Sequence, residues 1–194
     1  RELSKLMDGA TEGQCKELKR LIKFVIDTKW KGLKVKPDKI TEEVWTIRGF
    51  SDSDYCADKE TQRSITGYDV YLLGVAVSWK SKGQRGVTLS TTKAEYNAMS
   101  EVVREIKFIV QILELMSLPI DYPITVHVDN IGAIFLANNK TTSQRTKHMD
   151  IWHHFVREYI EDGVVKVIFV KSSENDADLF TKNLPGEVYK KHSW

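Results

Sequence analysis

The 194 residues, with 29 Lys plus Arg and 27 Asp plus Glu, are enough for one globular domain with a small appendage. The net charge of +2 is too small to indicate a nucleic-acid partner by itself, although residues 1–40 hold 11 basic and 6 acidic side chains. Two cysteines, Cys15 and Cys56, exclude a disulfide framework, and the lack of a signal peptide or long apolar run predicts a soluble intracellular protein.

The opening residues are predicted to stand apart from the main domain. Residues 14–27 (QCKELKRLIKFVID) place leucine, isoleucine and valine on one face with lysines around them, which is typical of a basic amphipathic helix. Gly32 and the turn signal Pro37-Asp38 indicate a linker or short hairpin over residues 30–41. We therefore divide the chain into an appendage, residues 1–43, and a main domain, residues 44–194.

The main domain contains five strand candidates, rich in β-branched and aromatic residues. They are residues 44–50, 67–79 with Gly74 as a turn or bulge, 87–89, 124–128 and 164–170. Three candidates precede a long helix and two follow it. A strand, helix, strand order predicts parallel pairing reached by a right-handed crossover.

The longest predicted element is a helix over residues 89–116, whose apolar residues recur three and four apart. Ser90, Thr91 and Thr92 are its candidate N-caps. Glu95 continues the apolar stripe, so it is either a partly exposed first-turn residue or a buried carboxylate that needs a partner. Shorter helices are predicted over residues 131–137 and 149–161, and Ser173 with Asp176 forms a capping-box-like start for a last helix.

Four acidic residues occupy comparable places in these elements. Asp52 follows the first strand, Glu95 lies in the first turn of the long helix, Asp129 follows the fourth strand, and Asp178 lies in the first turn of the last helix. Each alone has an ordinary explanation as a turn former, a cap or a dipole-favourable residue. Together they would concentrate negative charge, which Mg²⁺ or Mn²⁺ neutralises with oxygen ligands. Such a two-ion site suits attack of water on a phosphodiester.

Five phrases carry a family resemblance over residues 46–184. They are GFSDSDYCADKETQRSITGYDVYLLG, VSWKSKGQRGVTLSTTKAEYNAMSE, VHVDNIGAI, QRTKHMDIWHHFVRE and NDADLFTK. They resemble the ribonuclease H domain of copia-type (Pseudoviridae-like) LTR retrotransposon Pol polyproteins, and RTKHMDI and ADLFTK are diagnostic of the copia branch. The opening LSKLMDGATEGQCKELKRLIKFV is similar to the end of the polymerase thumb or connection, so we expect residues 1–43 to be its C-terminal remnant.

The resemblance implies a ribonuclease H-like α/β fold, with a five-stranded mixed sheet flanked by helices. It implies metal-dependent endonucleolytic cleavage of the RNA strand of RNA·DNA hybrids during reverse transcription, by a two-metal mechanism. The family's catalytic and metal-binding acidic set falls on Asp52, Glu95, Asp129 and Asp178. Asp54 is a rival for the first position, because residues two apart on a strand point the same way; Asp52 is preferred because it directly follows the predicted strand.

The implied cofactors are two Mg²⁺ ions, with Mn²⁺ as a substitute. The implied partners are the RNA·DNA hybrid and the polymerase domain of the same polyprotein, with no membrane and no small-molecule cofactor, and the implied location is a cytoplasmic virus-like particle. Candidate contacts to the phosphates of one nucleic-acid strand are Lys80, Lys82 and Arg85, in a loop next to Trp79. Candidate contacts to the phosphates of the other nucleic-acid strand are Arg145, Lys147 and His148. Candidate contacts to the 2′-hydroxyls are Thr91, Thr92 and Asn130.

The chain departs from the family pattern at several positions, and two other functions stay open. Lys93 stands where Glu is common, and residues 171–176 lack the histidine that cellular relatives often carry, for which Glu174 is a candidate substitute. A catalytically weak or inactive domesticated module that binds nucleic acid is the alternative function. A transposase or integrase of the same fold is disfavoured, since its last acidic residue would be a Glu rather than Asp178.

Overall fold

The computed structural model describes residues 9–32, 35–38, 44–139 and 150–192, with the backbone alone for residues 150–153. The chain divides into two compact units, Arg1–Lys34 and Val35–Trp194. The first unit contains helix α1 (Glu12–Thr28), which confirms the helix predicted over residues 14–27. Thr11 begins it with a capping box, in which the Gln14 side chain accepts from the Thr11 backbone N–H at 2.7 Å. The assignment of residues 1–43 to a polymerase remnant stays a prediction.

The second unit is built on a five-stranded mixed sheet flanked by helices, which confirms the predicted fold class. The strands are β1 (Ile47–Asp54), β2 (Ile65–Leu72), β3 (Val75–Gly83), β4 (Ile124–Val128) and β5 (Val165–Phe169). Their order across the sheet is β3-β2-β1-β4-β5. The pairs β1 with β2 and β2 with β3 are antiparallel, whereas β1 with β4 and β4 with β5 are parallel.

The helices of this unit lie between and after the strands. Among the residues that the structure describes they are α2 (Thr91–Leu115), α3 (Ile131–Asn138), α4 (Asp150–Glu161) and α5 (Gly186–His192), with two 3₁₀ turns, Ser172–Glu174 and Asp176–Phe180. The second of these turns is called the 3₁₀ segment below. Across the described ranges, no helix has both the length and the apolar character that crossing a membrane requires.

Helix α2 packs across the middle of the sheet. Its apolar side chains Met99, Val102, Val103 and Ile106 are fully buried. At Gly49, in the central strand β1, an added Cβ would lie 2.9 Å from Val102 Cγ2 and 3.1 Å from Ile106 Cδ1. The missing side chain is therefore what allows the helix to approach the strand this closely. The same contact fixes the position of Glu95, two turns before Val102, relative to β1.

Strand β1 is longer at its carboxyl end than the sequence predicts. It continues to Asp54 instead of ending at Phe50, because the polar stretch SDSD pairs with β2 as far as Ile65. Asp52 therefore lies inside the strand, opposite Gly67, and the prediction that it directly follows the strand is wrong.

The second and third strand candidates also differ from the structure. The candidate over residues 67–79 is two strands, separated at the expected turn by Leu73 and Gly74, whose φ angles are 49° and 76°. The strand predicted over residues 87–89 is wrong, because these residues form a loop before α2. In that loop the Thr88 hydroxyl lies 3.1 Å from the Ser64 hydroxyl, so a side-chain hydrogen bond holds it rather than strand pairing.

Helix α2 begins at Thr91, with Ser90 as its N-cap. Glu95 consequently lies in the second turn, and the prediction of a first-turn position is wrong. The side chain is also buried, with 7% of its surface exposed, which excludes the partly exposed alternative. The reason is its place on the apolar stripe, which the rest of the helix buries against the sheet.

The start of the last helix is also mispredicted. Asn175, rather than Ser173, supplies the cap, since its side chain accepts from the Ala177 backbone N–H at 3.2 Å. It caps the short 3₁₀ segment, while α5 is a separate helix further along the chain. Asp178 does lie in the first turn of that 3₁₀ segment.

The 3₁₀ segment packs on the face of the sheet opposite α2. There Phe50, Tyr71, Ala76 and Ala177 form a small buried cluster. The Tyr71 hydroxyl donates to Asp176 Oδ2 at 2.9 Å, and His192 Nδ1 lies 2.7 Å from Asp176 Oδ1. Asp176 thus connects the segment to both β2 and α5, and this holds the neighbouring Asp178 in place.

Candidate metal centre

Two of the carboxylates come together because β1 and β4 are parallel neighbours. The last residue pair in their register is Ser51 with Val128. Asp52 and Asp129 are the residues that follow this pair in the sequence. Both therefore lie at the carboxyl ends of the two central parallel strands, where ligands of open α/β sheets bind. Asp52 is 1% exposed and Asp129 is half-buried. The predicted position of Asp129, directly after the fourth strand, is confirmed.

Asp178 reaches these two residues through the 3₁₀ segment. The fully buried Asn175 donates from Nδ2 to the Ser51 carbonyl at 3.0 Å, which attaches the start of the segment to β1. Asp52, Asp129 and Asp178 can each offer one carboxylate oxygen, and these oxygens lie within 4.8 Å of one another. A cluster of carboxylate oxygens is the ligand type that hard divalent cations prefer.

Glu95 lies on α2 beside this group but is not one of the three residues whose oxygens converge. Its Oε2 atom is buried and has no hydrogen-bond partner among the described residues. Burial, followed by the charges of Asp52 and Asp129, raises the pKa of Glu95 to about 9. The hydrogen bond that the Ser53 backbone N–H donates to this carboxylate acts in the opposite direction and lowers the pKa. A cation close to this carboxyl would restore its charged form.

The same physical causes act on the aspartates. Burial raises the pKa of Asp52, the Thr181 hydroxyl and the Lys182 ammonium lower it, and the charge of Asp178 raises it further. Burial and then the charge of Asp52 raise the pKa of Asp129. The site therefore holds carboxyl groups whose charges are poorly solvated and mutually repulsive, a condition that a bound cation relieves.

Asp54 is separate from the converging set. It pairs with Ile65 at the end of β1, and its oxygens are not among those that converge in the described structure. Burial and the charge of Asp52 raise its pKa. The geometry thus favours Asp52 over Asp54 as the first acidic residue, although the reason differs from the one that the sequence suggested.

Three side chains that position the carboxylates are missed by the sequence analysis. The Thr181 hydroxyl donates to Asp52, and the Ser172 hydroxyl donates to Asp178 Oδ2 at 3.2 Å. Lys182 Nζ lies 3.1 Å from Asp52 Oδ1 and 2.8 Å from Asp178 Oδ1. The spacing of four residues between Asp178 and Lys182 is the signal that would have found this pair, because residues four apart meet on one side of a helical turn.

Gln84 is a further positioning residue that sequence reasoning missed. Its buried Nε2 lies 2.9 Å from the Ala94 carbonyl and 3.3 Å from Ser53 Oγ. These two partners are the neighbours of Glu95 on α2 and of Asp52 on β1. The glutamine therefore sets the distance between the two elements that carry these carboxylates.

The predicted basic loop is partly a strand. Lys80 and Lys82 lie on β3, and only Arg85 lies in the loop that follows, because β3 pairs with β2 as far as Gly83. Lys80 Nζ lies 2.8 Å from Glu101 Oε2, so its charge is engaged within the protein. The side chains of Lys82 and Arg85 are exposed.

A groove with a cavity volume of about 440 Å³ runs between β3, the loop after it and α2. Its basic lining residues are Lys80, Lys82, Arg85, Lys93 and Arg104. Backbone oxygens of nucleic acid are attracted to such a lining without regard to base sequence. The groove includes three of the predicted contacts and adds Lys93 and Arg104, which the sequence analysis did not assign to the substrate.

The remaining predicted contacts divide into two sets. Thr91 is exposed at the start of α2. Thr92, the next residue, lies close to Gly132 at the start of α3, since a Cβ added at Gly132 would be 2.9 Å from Thr92 Oγ1. The starts of α2 and α3 are therefore adjacent. The Asn130 side chain accepts from the Ala133 backbone N–H at 2.9 Å, so its oxygen caps α3. The other set, Arg145, Lys147 and His148, lies outside the described residues.

Comparison with known proteins relates this chain to transposon polyproteins. It is 32% identical over 182 residues to the retrovirus-related Pol polyprotein from transposon RE1 of Arabidopsis thaliana, an alignment that covers 94% of this chain and 12% of that protein. The Pol polyprotein from transposon RE2 of the same plant is 30% identical over 191 residues, which covers 98% of this chain and 13% of that protein. The chain thus spans a small part of these relatives. No family model matches it.

The structural comparison agrees with the predicted fold. A ribonuclease H1 isolated from compost by a metagenomic approach superposes with a TM-score of 0.53 at 13% identity, and the match covers 75% of this chain and 96% of that one. At this identity the likeness shows the fold. Together, the sequence relationship and the fold confirm the resemblance, and they identify the chain as a ribonuclease H-like domain homologous to a segment of copia-type retrotransposon Pol polyproteins.

Proposed function

We propose that this domain is a metal-dependent ribonuclease H, which cuts the RNA strand of RNA·DNA hybrids during retrotransposon reverse transcription. The observation that carries the proposal is the convergence of Asp52, Asp129 and Asp178, with one oxygen of each within 4.8 Å of the others. The fold and the polyprotein relatives support it. In this proposal the domain works beside the polymerase domain of the same polyprotein, in a cytoplasmic virus-like particle, and residues 1–43 are the end of that polymerase.

The residues present fit a divalent cation. The donor set is three carboxylates, and the buried Oε2 of Glu95 lacks a hydrogen-bond partner among the described residues. The Lys182 ammonium lies between Asp52 and Asp178, so a positive charge already pairs with two of these carboxylates, which supports the proposal. Mg²⁺ or Mn²⁺ matches such hard oxygen ligands.

In the proposed mechanism Asp52, Glu95, Asp129 and Asp178 hold two metal ions. When bound, the ions supply activation of the attacking water and stabilisation of the leaving oxygen. The protein's own part is to keep the carboxylates in place before substrate arrives. Thr181 and Ser172 do this by donating to Asp52 and Asp178, and Gln84 does it by connecting β1 to α2.

The groove beside α2 is proposed to hold the phosphate backbone of the hybrid. Lys82 and Arg85 are exposed there, while Lys80 is paired with Glu101. Thr91 and Thr92, at the start of α2, are proposed to contact the 2′-hydroxyls that distinguish RNA from DNA. The side-chain oxygen of Asn130 caps α3, so we propose that its amide N–H groups contact the substrate. Arg145, Lys147 and His148 complete the proposed footprint.

The experiment that tests the proposed function is cleavage of a labelled RNA·DNA hybrid by the full chain with Mg²⁺, with Mn²⁺ or with EDTA. We expect metal-dependent cutting of the RNA strand, no cutting of a DNA duplex, and loss of cutting in Asp52→Asn. Asp52→Asn keeps the side-chain shape but removes a ligand charge. Tight hybrid binding without cutting under any metal would contradict the enzyme and favour the nucleic-acid-binding module.

The contribution of the groove is measurable as a salt dependence. Changing both Lys82 and Arg85 to alanine should weaken hybrid binding and reduce the slope of log K against log salt by about 1.4–1.8, because each phosphate contact contributes about 0.7–0.9. Fluorescence anisotropy across a salt series provides the measurement. Lys166→Ala with Lys190→Ala, at two exposed lysines on β5 and α5, is the matched control that removes the same charge. An equal loss of slope in both pairs would remove the groove from the footprint.

A further inference from the structure

The side chain of Lys182 lies between two of the clustered carboxylates, those of Asp52 and Asp178. Its Nζ atom lies 3.1 Å from Asp52 Oδ1 and 2.8 Å from Asp178 Oδ1. The Ser172 hydroxyl, at 3.5 Å, is a third and weaker neighbour. Two carboxylates that the proposed function assigns to metal binding are therefore already paired with a cation that belongs to the chain.

The two sides of this contact differ in their freedom to move. The Asp52 side chain is 1% exposed and that of Asp178 is 9% exposed, whereas that of Lys182 is 35% exposed. Thr181 and Ser172 further restrain the carboxylates. The ammonium, at the end of a flexible four-carbon chain, is the component that can leave toward solvent.

A divalent cation and an ammonium cannot share these oxygens at low cost. Both would lie within about 3 Å of the same atoms, and like charges so close together repel strongly in a partly buried site. One of them must give way, and the restrained carboxylates cannot follow the ammonium outward.

We infer that Lys182 is an internal counter-ion that competes with the divalent cation for Asp52 and Asp178. In the metal-free protein it offsets the repulsion between the carboxylates. On metal binding its side chain is displaced from them. Lys182 is thus a positioning residue with two opposed effects. It lowers the affinity of the site for the metal, and it stabilises the site when no metal is bound. The inference rests on the metal centre of the proposed function.

The test compares Lys182→Met with the parent chain in two measurements that need no cleavage. Titration calorimetry with Mn²⁺ should show binding that is tighter by about tenfold or more, because a competing positive charge is gone. Thermal unfolding in EDTA should show a midpoint lower by about 2–4 °C, because the carboxylates lose their counter-ion. Lys190→Met is the matched control. It removes an equal charge from an exposed pair with Glu187, and both measurements should stay near the parent values.

A second variant guards against a folding defect. Lys182→Arg retains the charge, so its Mn²⁺ affinity should stay within about threefold of the parent value. Equal or weaker Mn²⁺ binding in Lys182→Met, with cleavage by the parent chain intact, would overturn the inference and leave the proposed function standing. If neither the parent chain nor Lys182→Met binds Mn²⁺, the metal centre is wrong and the inference is overturned with it.

Discussion

Changing Asp129 to asparagine is expected to reduce cleavage of the RNA strand by about 10²- to 10³-fold or more, the scale seen when one stabilising group is removed from a reaction centre. The amide has nearly the shape of the carboxylate but lacks its charge. It therefore leaves one proposed metal ligand without the electrostatic attraction that binds a hard cation. Initial rates on a labelled hybrid, measured in Mg²⁺ and again in Mn²⁺, provide the test.

This loss should come without unfolding. Asp129 follows the last paired residue of β4 and is half-buried, so its side chain lies outside the strand ladder. Removing one of several close negative charges should leave the thermal midpoint unchanged or slightly higher. Asp121→Asn is the matched control, since Asp121 is exposed just before the other end of β4. Full cleavage by Asp129→Asn would exclude Asp129 from the metal centre.

Changing Gly67 to alanine should reduce both stability and cleavage. Gly67 lies opposite Asp52 on β2, where an added Cβ would stand 2.6 Å from Thr181 Cγ2 and 3.0 Å from the Ala177 carbonyl. Contacts this short force the 3₁₀ segment away from the sheet, at a cost of about 1–3 kcal/mol. The segment carries Asp178, and a displacement of about 1 Å in a catalytic group can cost about 10²-fold in rate.

Denaturant unfolding and hybrid cleavage together measure this effect. Gly186→Ala is the control, because a Cβ at Gly186 meets no atom within 4 Å and its backbone does not require glycine. If Gly67→Ala were as stable and as active as Gly186→Ala, the close packing of the 3₁₀ segment on β2 would not be what positions Asp178.

The sequence predicts best those elements whose pattern is local. The stretch ITVHV bounded by Pro123 and Asp129 is found as β4 with its predicted limits. Helix α2 likewise agrees within two residues at its start and one at its end, because its apolar stripe repeats over many turns. Asp129 directly follows β4 and Glu95 lies on α2, so their approximate places follow from these two local patterns.

The errors arise where pairing between distant segments overrides local preference. The SDSD stretch of β1 contains polar residues that favour turns, yet it stays extended because β2 pairs with it. The opposite error occurs at residues 87–89, where Val, Thr and Leu favour a strand. Their neighbour Gln84 instead bonds to Ala94, and the chain turns into α2. Propensity cannot report a partner that lies elsewhere in the chain.

Lys182 was missed for a related reason. A lysine near a carboxylate usually forms an exposed ion pair of little consequence, and four-residue spacing occurs in many helices. What distinguishes Lys182 is the second carboxylate, Asp52, which lies 130 residues earlier in the sequence. A pairwise spacing rule contains no information about that third member.

The parallel pairing of β1 with β4 also bears on how the chain folds. Asp52 and Asp129 meet only after these two strands, which are separated by the whole of β2, β3 and α2, have formed their ladder. Helix α2 can form from local contacts early, whereas a ladder of such high contact order forms late. Metal-induced protection from hydrogen exchange would therefore report completion of the sheet, and a collapsed, helix-containing intermediate would not yet have the metal centre.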